Sequence, residues 1–165
     1  MKTLSKKIVL LGNEGVGKTS LVKRYVHSIF NDEYLTTIGI KISKKVVVIE
    51  DVEVNLMIWD IAGNMMNQTL YNNYLQGAHG VLLVADVTRI ETYKSIIKER
   101  DSHLSVDFGN THTFVLLNKS DLIADNPAIN LSDYTYDFLT SAKNGDNVEE
   151  VFKCLAEKIL STSRS

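Results

Sequence analysis

Short apolar runs at residues 7–11, 80–85 and 114–117 are each closed by Gly, Asp or Asn, and none alternates with polar residues over its length. Runs of this kind predict strands buried on both faces, as in a parallel sheet covered by helices. Residues 41–49 and 52–58 are rich in β-branched side chains and hinge at Glu50-Asp51, which predicts an antiparallel hairpin. Leu21, Tyr25 and Ile29 share one face of a predicted helix over 18–28, and Val151, Leu155 and Ile159 do so in a closing helix over 148–160. A further helix is predicted over 90–104 and a short strand over 136–139. The polar stretch 31–37 reads as an exposed loop, and 61–77, with Gly63 and many Asn, as a loop and a loose helix. There is no internal repeat. Strands alternating with helices predict an α/β fold: a mostly parallel six-stranded sheet with one antiparallel strand and helices on both faces. Ligands of such sheets bind at the carboxyl ends of the strands.

Length and charge narrow the picture. The 165 residues suffice for one sizeable core, so a single domain spanning 1–165 is expected. With a net charge of -2 and mixed signs, nothing favours nucleic acid or an anionic membrane, and Lys6-Lys7 and Lys44-Lys45 read as solvated positions. The single cysteine, Cys154, excludes an internal disulfide and a cysteine metal cluster, and fits a reducing, cytoplasmic compartment. The apolar run before Gly12 is too short for a signal peptide, and no stretch has the length of a membrane span. Residues 161–165 hold no prenylation cysteine, so no direct membrane anchor is expected from the chain as written.

Candidate chemistry begins at Gly12-Asn13-Glu14-Gly15-Val16-Gly17-Lys18-Thr19, which fits the spacing G-x-x-x-x-G-K-[ST] between a strand and a helix. Its glycines allow the backbone to wrap an oligophosphate, so that successive N–H groups and the positive helix end face the anion. Lys18 would reach the outer phosphates and Thr19 would offer its hydroxyl to Mg²⁺. Asp60-Ile61-Ala62-Gly63 ends the third strand, where the carboxylate can hold Mg²⁺ through water and the Gly63 N–H can meet a γ-phosphate. Asn118-Lys119-Ser120-Asp121 and Ser141-Ala142-Lys143 follow the last two strands. The Asp121 carboxylate can accept from N1–H and the exocyclic amine of guanine, donors that adenine lacks there, which favours GTP over ATP. A turn capped by short polar side chains is the competing reading of 118–121.

With these motifs in order over about 7–160, the chain resembles a small GTPase of the Ras superfamily, and within it the Rab family. Tyr34-Leu35-Thr36-Thr37-Ile38-Gly39, Tyr74-Leu75-Gln76-Gly77-Ala78-His79-Gly80 and Asp86-Val87-Thr88 resemble Rab stretches. The resemblance implies a P-loop GTPase fold in which residues Glu14 to Ser20 line the phosphates, with Glu14, Gly15, Val16, Gly17, Lys18, Thr19 and Ser20 all in contact. It also implies that Thr37 supplies a second Mg²⁺ hydroxyl in the GTP state, that Tyr34 is among the nucleotide-binding residues, and that Phe30 stacks on the guanine. Lys119 would pack along the base, the Ala142 N–H would meet the guanine carbonyl, and Ser141 and Lys143 would flank it. Lys18, Thr37 and Asn64 hold the catalytic positions, whereas His79 reads as structural. Effectors, an exchange factor and an activating protein would meet a monomer at Ile38, Ile42, Trp59, Met65, Met66 and Tyr74. Trp59 and Tyr74 match two of the three aromatics on which Rab partners dock, and Ile42 takes the third place.

The departures from the family are specific. Asn64 replaces the glutamine that orients the attacking water, and Glu14 stands where the family has a small residue. Met65, Met66 and Asn67 replace charged and aromatic residues, and Lys41 an acidic one. Between Asp121 and Phe138 the chain is shorter than the family pattern, so the fourth major helix is expected to be shortened or absent. Three readings stand: a Rab-like switch that hydrolyses GTP slowly, a pseudo-GTPase that holds nucleotide without turnover, and a phosphate-loop kinase or ATPase, which the guanine motifs disfavour.

Overall fold

The computed structural model of the protein describes residues 1–30, 39–65, 71–104 and 111–163. Among the described residues six strands form one sheet in the order β2-β3-β1-β4-β5-β6. They are β1 (Lys2–Leu11), β2 (Ile40–Ile49), β3 (Val52–Ile61), β4 (Gly80–Asp86), β5 (His112–Asn118) and β6 (Phe138–Leu139). Only the β2–β3 pair is antiparallel, as expected of a hairpin turned at Glu50-Asp51. The helices are α1 (Lys18–His27), α2 (Tyr71–Leu75), α3 (Ile90–Glu99) and α4 (Val148–Thr162).

Alternation along the strands divides the interior into two layers. Ile8 and Leu10 of β1, with Leu56 and Ile58 of β3 and Leu82 and Val84 of β4, face α1 and α4. There the rings of Tyr25 and Phe152 stack with centroids 4.0 Å apart. Val9, Leu11, Val81, Leu83 and Ala85 face the other way, onto Leu75 of α2 and Ile96 of α3. Because both faces of the central strands are covered, their sequences read as unbroken apolar runs.

The boundaries differ from the sequence reading in four places. β1 begins at Lys2 rather than at 7, its first half pairing with β3 from Lys2 opposite Val52 onward. Lys2, Thr3 and Ser5 are exposed and only Leu4 packs on the core, so this half is held chiefly by backbone ladder bonds and carries no apolar run. β3 runs on to Ile61, which puts Asp60 inside the strand. The α-helix α3 stops at Glu99 and continues as a wider π-type turn over Arg100–Leu104. β6 shrinks to Phe138–Leu139, although Asp137 still ties itself to β5: its N–H donates to the Val115 carbonyl at 2.9 Å and its carboxylate accepts from the Val115 N–H at 2.7 Å.

Between β5 and β6 the chain makes only two single 3-10 turns, Ser120–Leu122 and Leu131–Asp133, so the expected shortening of this connection is complete and no α-helix stands there. Its apolar residues still cover the sheet. Ile123, Ile129, Leu131, Tyr134 and Tyr136 pack against the second layer. Tyr134 meets Tyr93 of α3 edge-on at 5.0 Å, and its hydroxyl donates to the Val87 carbonyl at 3.1 Å. Two tyrosines and three aliphatic residues of the connection thus take over the burial that a helix face would supply.

His79 has the structural part expected of it. Its Nδ1 accepts from the Lys7 N–H at 3.0 Å while its own N–H donates to the Lys7 carbonyl at 2.9 Å, so one residue closes both backbone groups of Lys7. Burial, with Lys6 and Lys7 nearby, holds the imidazole below its ordinary pKa and hence neutral, as an Nδ1 acceptor must be. Among the described residues no helix is long and apolar enough to cross a membrane.

Candidate nucleotide-binding site

The carboxyl ends of β1, β3, β4, β5 and β6 bring the sequence motifs together. After Leu11 the chain turns through residues 12–17 and enters α1 at Lys18. No side chain caps α1, and no acidic residue lies in its first turn, so its N-terminal amides and positive dipole end face the loop unopposed by a carboxylate of their own helix. Lys18 folds back into the loop, its Nζ donating to the carbonyls of Gly12 at 2.8 Å and Asn13 at 3.3 Å. Burial lowers the pKa of this ammonium, while Asp60 and Glu14 push it back up. A cation held in this way gains most from a further anion beside it.

Thr19 Oγ1 donates to Asp60 Oδ2, so the first turn of α1 touches the end of β3. Asp60 is almost wholly buried. Beyond it, Gly63 lies against the loop so closely that a Cβ there would come within 2.3 Å of the Glu14 nitrogen. Any side chain at this position would have to push the two segments apart. The single 3-10 turn Gly63–Met65 carries Asn64, whose side chain is exposed, and Glu14 is exposed as well. Phe30 packs half-buried against the first layer.

Asn118 joins this phosphate end to the far motifs. Only 1% exposed, it donates through Nδ2 to the Val16 carbonyl at 2.9 Å. Its Oδ1 accepts from Thr140 Oγ1 at 3.1 Å and from the Ala142 N–H at 3.3 Å. Gly17, with φ 100°, fits beneath it, since a Cβ there would meet Asn118 Nδ2 at 2.3 Å. Asp121 accepts from Ser141 Oγ at 2.7 Å, which in turn accepts from the Asn144 N–H at 3.0 Å, so the segments 118–121 and 141–144 are fixed to each other. Lys119 adopts φ 66°, and its ammonium sits 2.8 Å from Asp86.

Sequence reasoning missed three residues that hold this arrangement. Arg24 of α1 donates from Nε to the Ala142 carbonyl at 2.7 Å and from Nη2 to the Lys143 carbonyl. Thr140 supplies the hydroxyl just described. Asp86, quoted only for its resemblance to a Rab stretch, is a buried carboxylate that binds Thr88, Arg89 and Lys119. Thr88 and Arg89 are its neighbours in sequence, but Lys119 lies in a separate motif, brought to it only because the ends of β4 and β5 are side by side.

The proposed docking residues lie beside the site. Ile42 of β2, 48% exposed, is directly opposite Trp59 of β3 in the hairpin register. Lys7 Nζ sits 3.9 Å over the Trp59 ring and donates to the Gln76 carbonyl at 2.9 Å. Trp59, Met65 and Tyr74 are half-buried on the second layer. Tyr34, Thr37, Ile38 and Met66 fall outside the described residues.

Comparison with known proteins gives a consistent outcome. A model of the Ras family matches residues 7–161. The chain is 34% identical over 174 residues to the Ras-related protein Rab-7b of Bos taurus, covering 99% of this chain and 86% of the relative. To Rab-7b of Homo sapiens it is 35% identical over 175 residues, covering 99% and 87%.

Proposed function

The chain belongs to the Ras family of small GTPases, and from that premise we propose that it is a Rab-like switch that binds GTP and GDP with Mg²⁺, hydrolyses GTP slowly, and offers a partner surface in the GTP state. The observation that carries this reading is the convergence on one rim of the Lys18 ammonium, the Thr19–Asp60 pair and the Asn118 clamp. Effectors, an exchange factor and an activating protein are the partner classes, acting on a cytoplasmic monomer in vesicle or membrane traffic.

The oxygen donors suit Mg²⁺. Thr19 and Asp60 place a hydroxyl and a carboxylate side by side at a helix N-terminus. Among the described residues no three His, Cys, Asp or Glu side chains cluster as a metal cage. Mg²⁺ characteristically takes few protein ligands and completes its shell with phosphate oxygens and water, so one hydroxyl and one carboxylate are enough. When bound, the ion would neutralise charge on the phosphates. Lys18 would hold the β- and γ-phosphates from the loop side, the α1 amides would take the inner oxygens, and Asp121 would read the guanine edge, with Ser141 keeping its carboxylate in place.

Hydrolysis depends on orienting a water in line with the γ-phosphate and on stabilising charge there. Asn64 holds that duty but is one methylene shorter than glutamine, and its exposed side chain lacks a carbon–carbon bond of reach. Glu14, on the same loop, adds a negative charge that partly offsets the lowering of the Lys18 pKa by burial, and that charge would repel a γ-phosphate held by Lys18. Both features slow the step. They also favour a second reading, a nucleotide-holding interaction module with negligible turnover.

Single-turnover hydrolysis of bound GTP tests the proposal. The expected order is parent slowest, Asn64→Gln faster by several fold, Glu14→Gly faster, and the double variant fastest, each tenfold corresponding to about 1.4 kcal/mol of barrier. A parent as fast as the double variant contradicts the roles given to Asn64 and Glu14. No turnover in the parent but turnover in the double variant selects the second reading.

A further inference from the structure

Arg89 follows Asp86-Val87-Thr88 at the end of β4 and is the residue from which α3 starts. Its guanidinium spans two acceptors. Nε is 3.2 Å from Asp86 Oδ2, and Nη2 donates to the backbone carbonyl of Glu14 at 3.0 Å. The first acceptor is an immobile anchor. Asp86 is 2% exposed, its Oδ1 accepts from the Thr88 N–H at 2.9 Å and the Thr88 hydroxyl at 2.6 Å, and its Oδ2 also lies 2.8 Å from Lys119 Nζ. Burial raises the pKa of this carboxyl, but Lys119 and Thr88 outweigh it and hold the group below its ordinary value, so it stays charged. Because a guanidinium is planar and rigid, fixing Nε also fixes the direction in which Nη2 points.

That direction matters for one peptide group. The carbonyl of Glu14 and the N–H of Gly15 belong to the same planar trans unit and point opposite ways. Holding the oxygen on Arg89 therefore aims the Gly15 N–H away from Arg89. Without a hold this peptide has little to stop it turning over, since Gly15 sits at φ 77° and glycine accepts either sign of φ.

We infer that Arg89 is a positioning residue of the phosphate loop: by holding the Glu14 carbonyl against the Asp86 anchor it keeps the Gly15 N–H turned towards the oligophosphate of a nucleoside di- or triphosphate. The inference rests on the nucleotide reading above. It differs from any role of the Glu14 side chain, because the contact is to backbone. Through the shared Asp86 carboxylate it also ties the loop to Lys119 at the base end.

The test is release of fluorescent GDP and GTP, chased with excess unlabelled nucleotide, for the parent, Arg89→Ala, Arg89→Lys and the exposed α3 control Lys94→Ala, together with the assigned Gly15 amide resonance in each GDP complex. Arg89→Ala is expected to release both nucleotides about tenfold faster, the scale of one lost charge-assisted hydrogen bond. Its Gly15 amide should move. Arg89→Lys, which can reach only one acceptor at a time, should fall between, and Lys94→Ala should match the parent. If the parent binds and both Arg89 variants release within twofold of it, the positioning role is wrong. Faster release with an unmoved Gly15 amide also overturns it, because Arg89 would then act through Asp86 and Lys119. A parent that binds no guanine nucleotide overturns the nucleotide reading and this inference with it.

Discussion

Truncating Asn118 is the sharpest perturbation of the site, because one buried side chain there closes three polar groups from two segments. In Asn118→Ala the Val16 carbonyl loses its donor, and Thr140 Oγ1 and the Ala142 N–H lose their acceptor. Thr140 and Ala142 are buried, as is Val16, so water cannot simply take the vacated places. A buried group left unpaired costs roughly 1–3 kcal/mol. The Ala142 bond at 3.3 Å is long, and the Thr140 hydroxyl can rotate to another acceptor, so the low end applies to both. The sum is at least about 3 kcal/mol, a large share of the roughly 5–15 kcal/mol of a typical domain. For a chain of this size that lowers the melting temperature by about 6–12 °C. Urea unfolding of nucleotide-free protein should show the loss as a lower midpoint with an unchanged slope. Asn118→Asp separates the two ends: it keeps the acceptor for Thr140 and Ala142 but turns an oxygen towards the Val16 carbonyl. It should therefore weaken nucleotide binding at least as much as Asn118→Ala while retaining more of the contacts to 140–142. A loss in Asn118→Ala below about 1 kcal/mol would refute the clamp, since even one orphaned group should exceed it.

Two further outcomes follow from single side chains. Asp121→Asn should shift preference from guanine towards xanthine nucleotides, because an amide can donate to the xanthine carbonyl where the carboxylate accepted from guanine; competition binding checks it, and unchanged guanine selectivity would remove Asp121 from base recognition. Asp86→Asn should destabilise the protein by about 1–3 kcal/mol near neutral pH. Since the folded pKa of Asp86 is depressed, its contribution is present above the unfolded value of about 3.9 and fades as pH falls through the folded value, so the gap between parent and variant should narrow on acidification. A gap that stays constant down to the acid transition would contradict an ionised, paired Asp86.

The phosphate loop was legible because its chemistry is local: the glycines, Lys18 and Thr19 are neighbours in sequence, and the strand and helix around them are readable from apolar spacing. The central strands were legible for the same reason that they are buried on both sides. What escaped was held by backbone or by distance. In the first half of β1 Leu4 is the one apolar residue, so exposed Lys2, Thr3 and Ser5, paired to β3 chiefly by ladder bonds, gave no sign of a strand. Arg24, Thr140, Asp86 and Arg89 look like ordinary polar residues until the sheet order puts β1, β4, β5 and β6 side by side. The shortened connection before β6 could be counted from sequence, but not that Tyr93 and Tyr134 would seal the sheet in its place. The hairpin put Ile42 opposite Trp59 by register, whereas Lys7 over the Trp59 ring required knowing that β1 lies beside β3.

The most direct measurement is the identity and fate of the nucleotide that the purified chain carries. Protein isolated in Mg²⁺ buffer is denatured, the released nucleotide is identified by chromatography, and a GTP-loaded sample is followed over time with and without excess ATP. A guanine nucleotide in stoichiometric amount, undisturbed by ATP and converted only slowly from GTP to GDP, is the predicted result. An adenine nucleotide, or none together with no uptake of GTP or GDP when they are added, would contradict the assignment of this site.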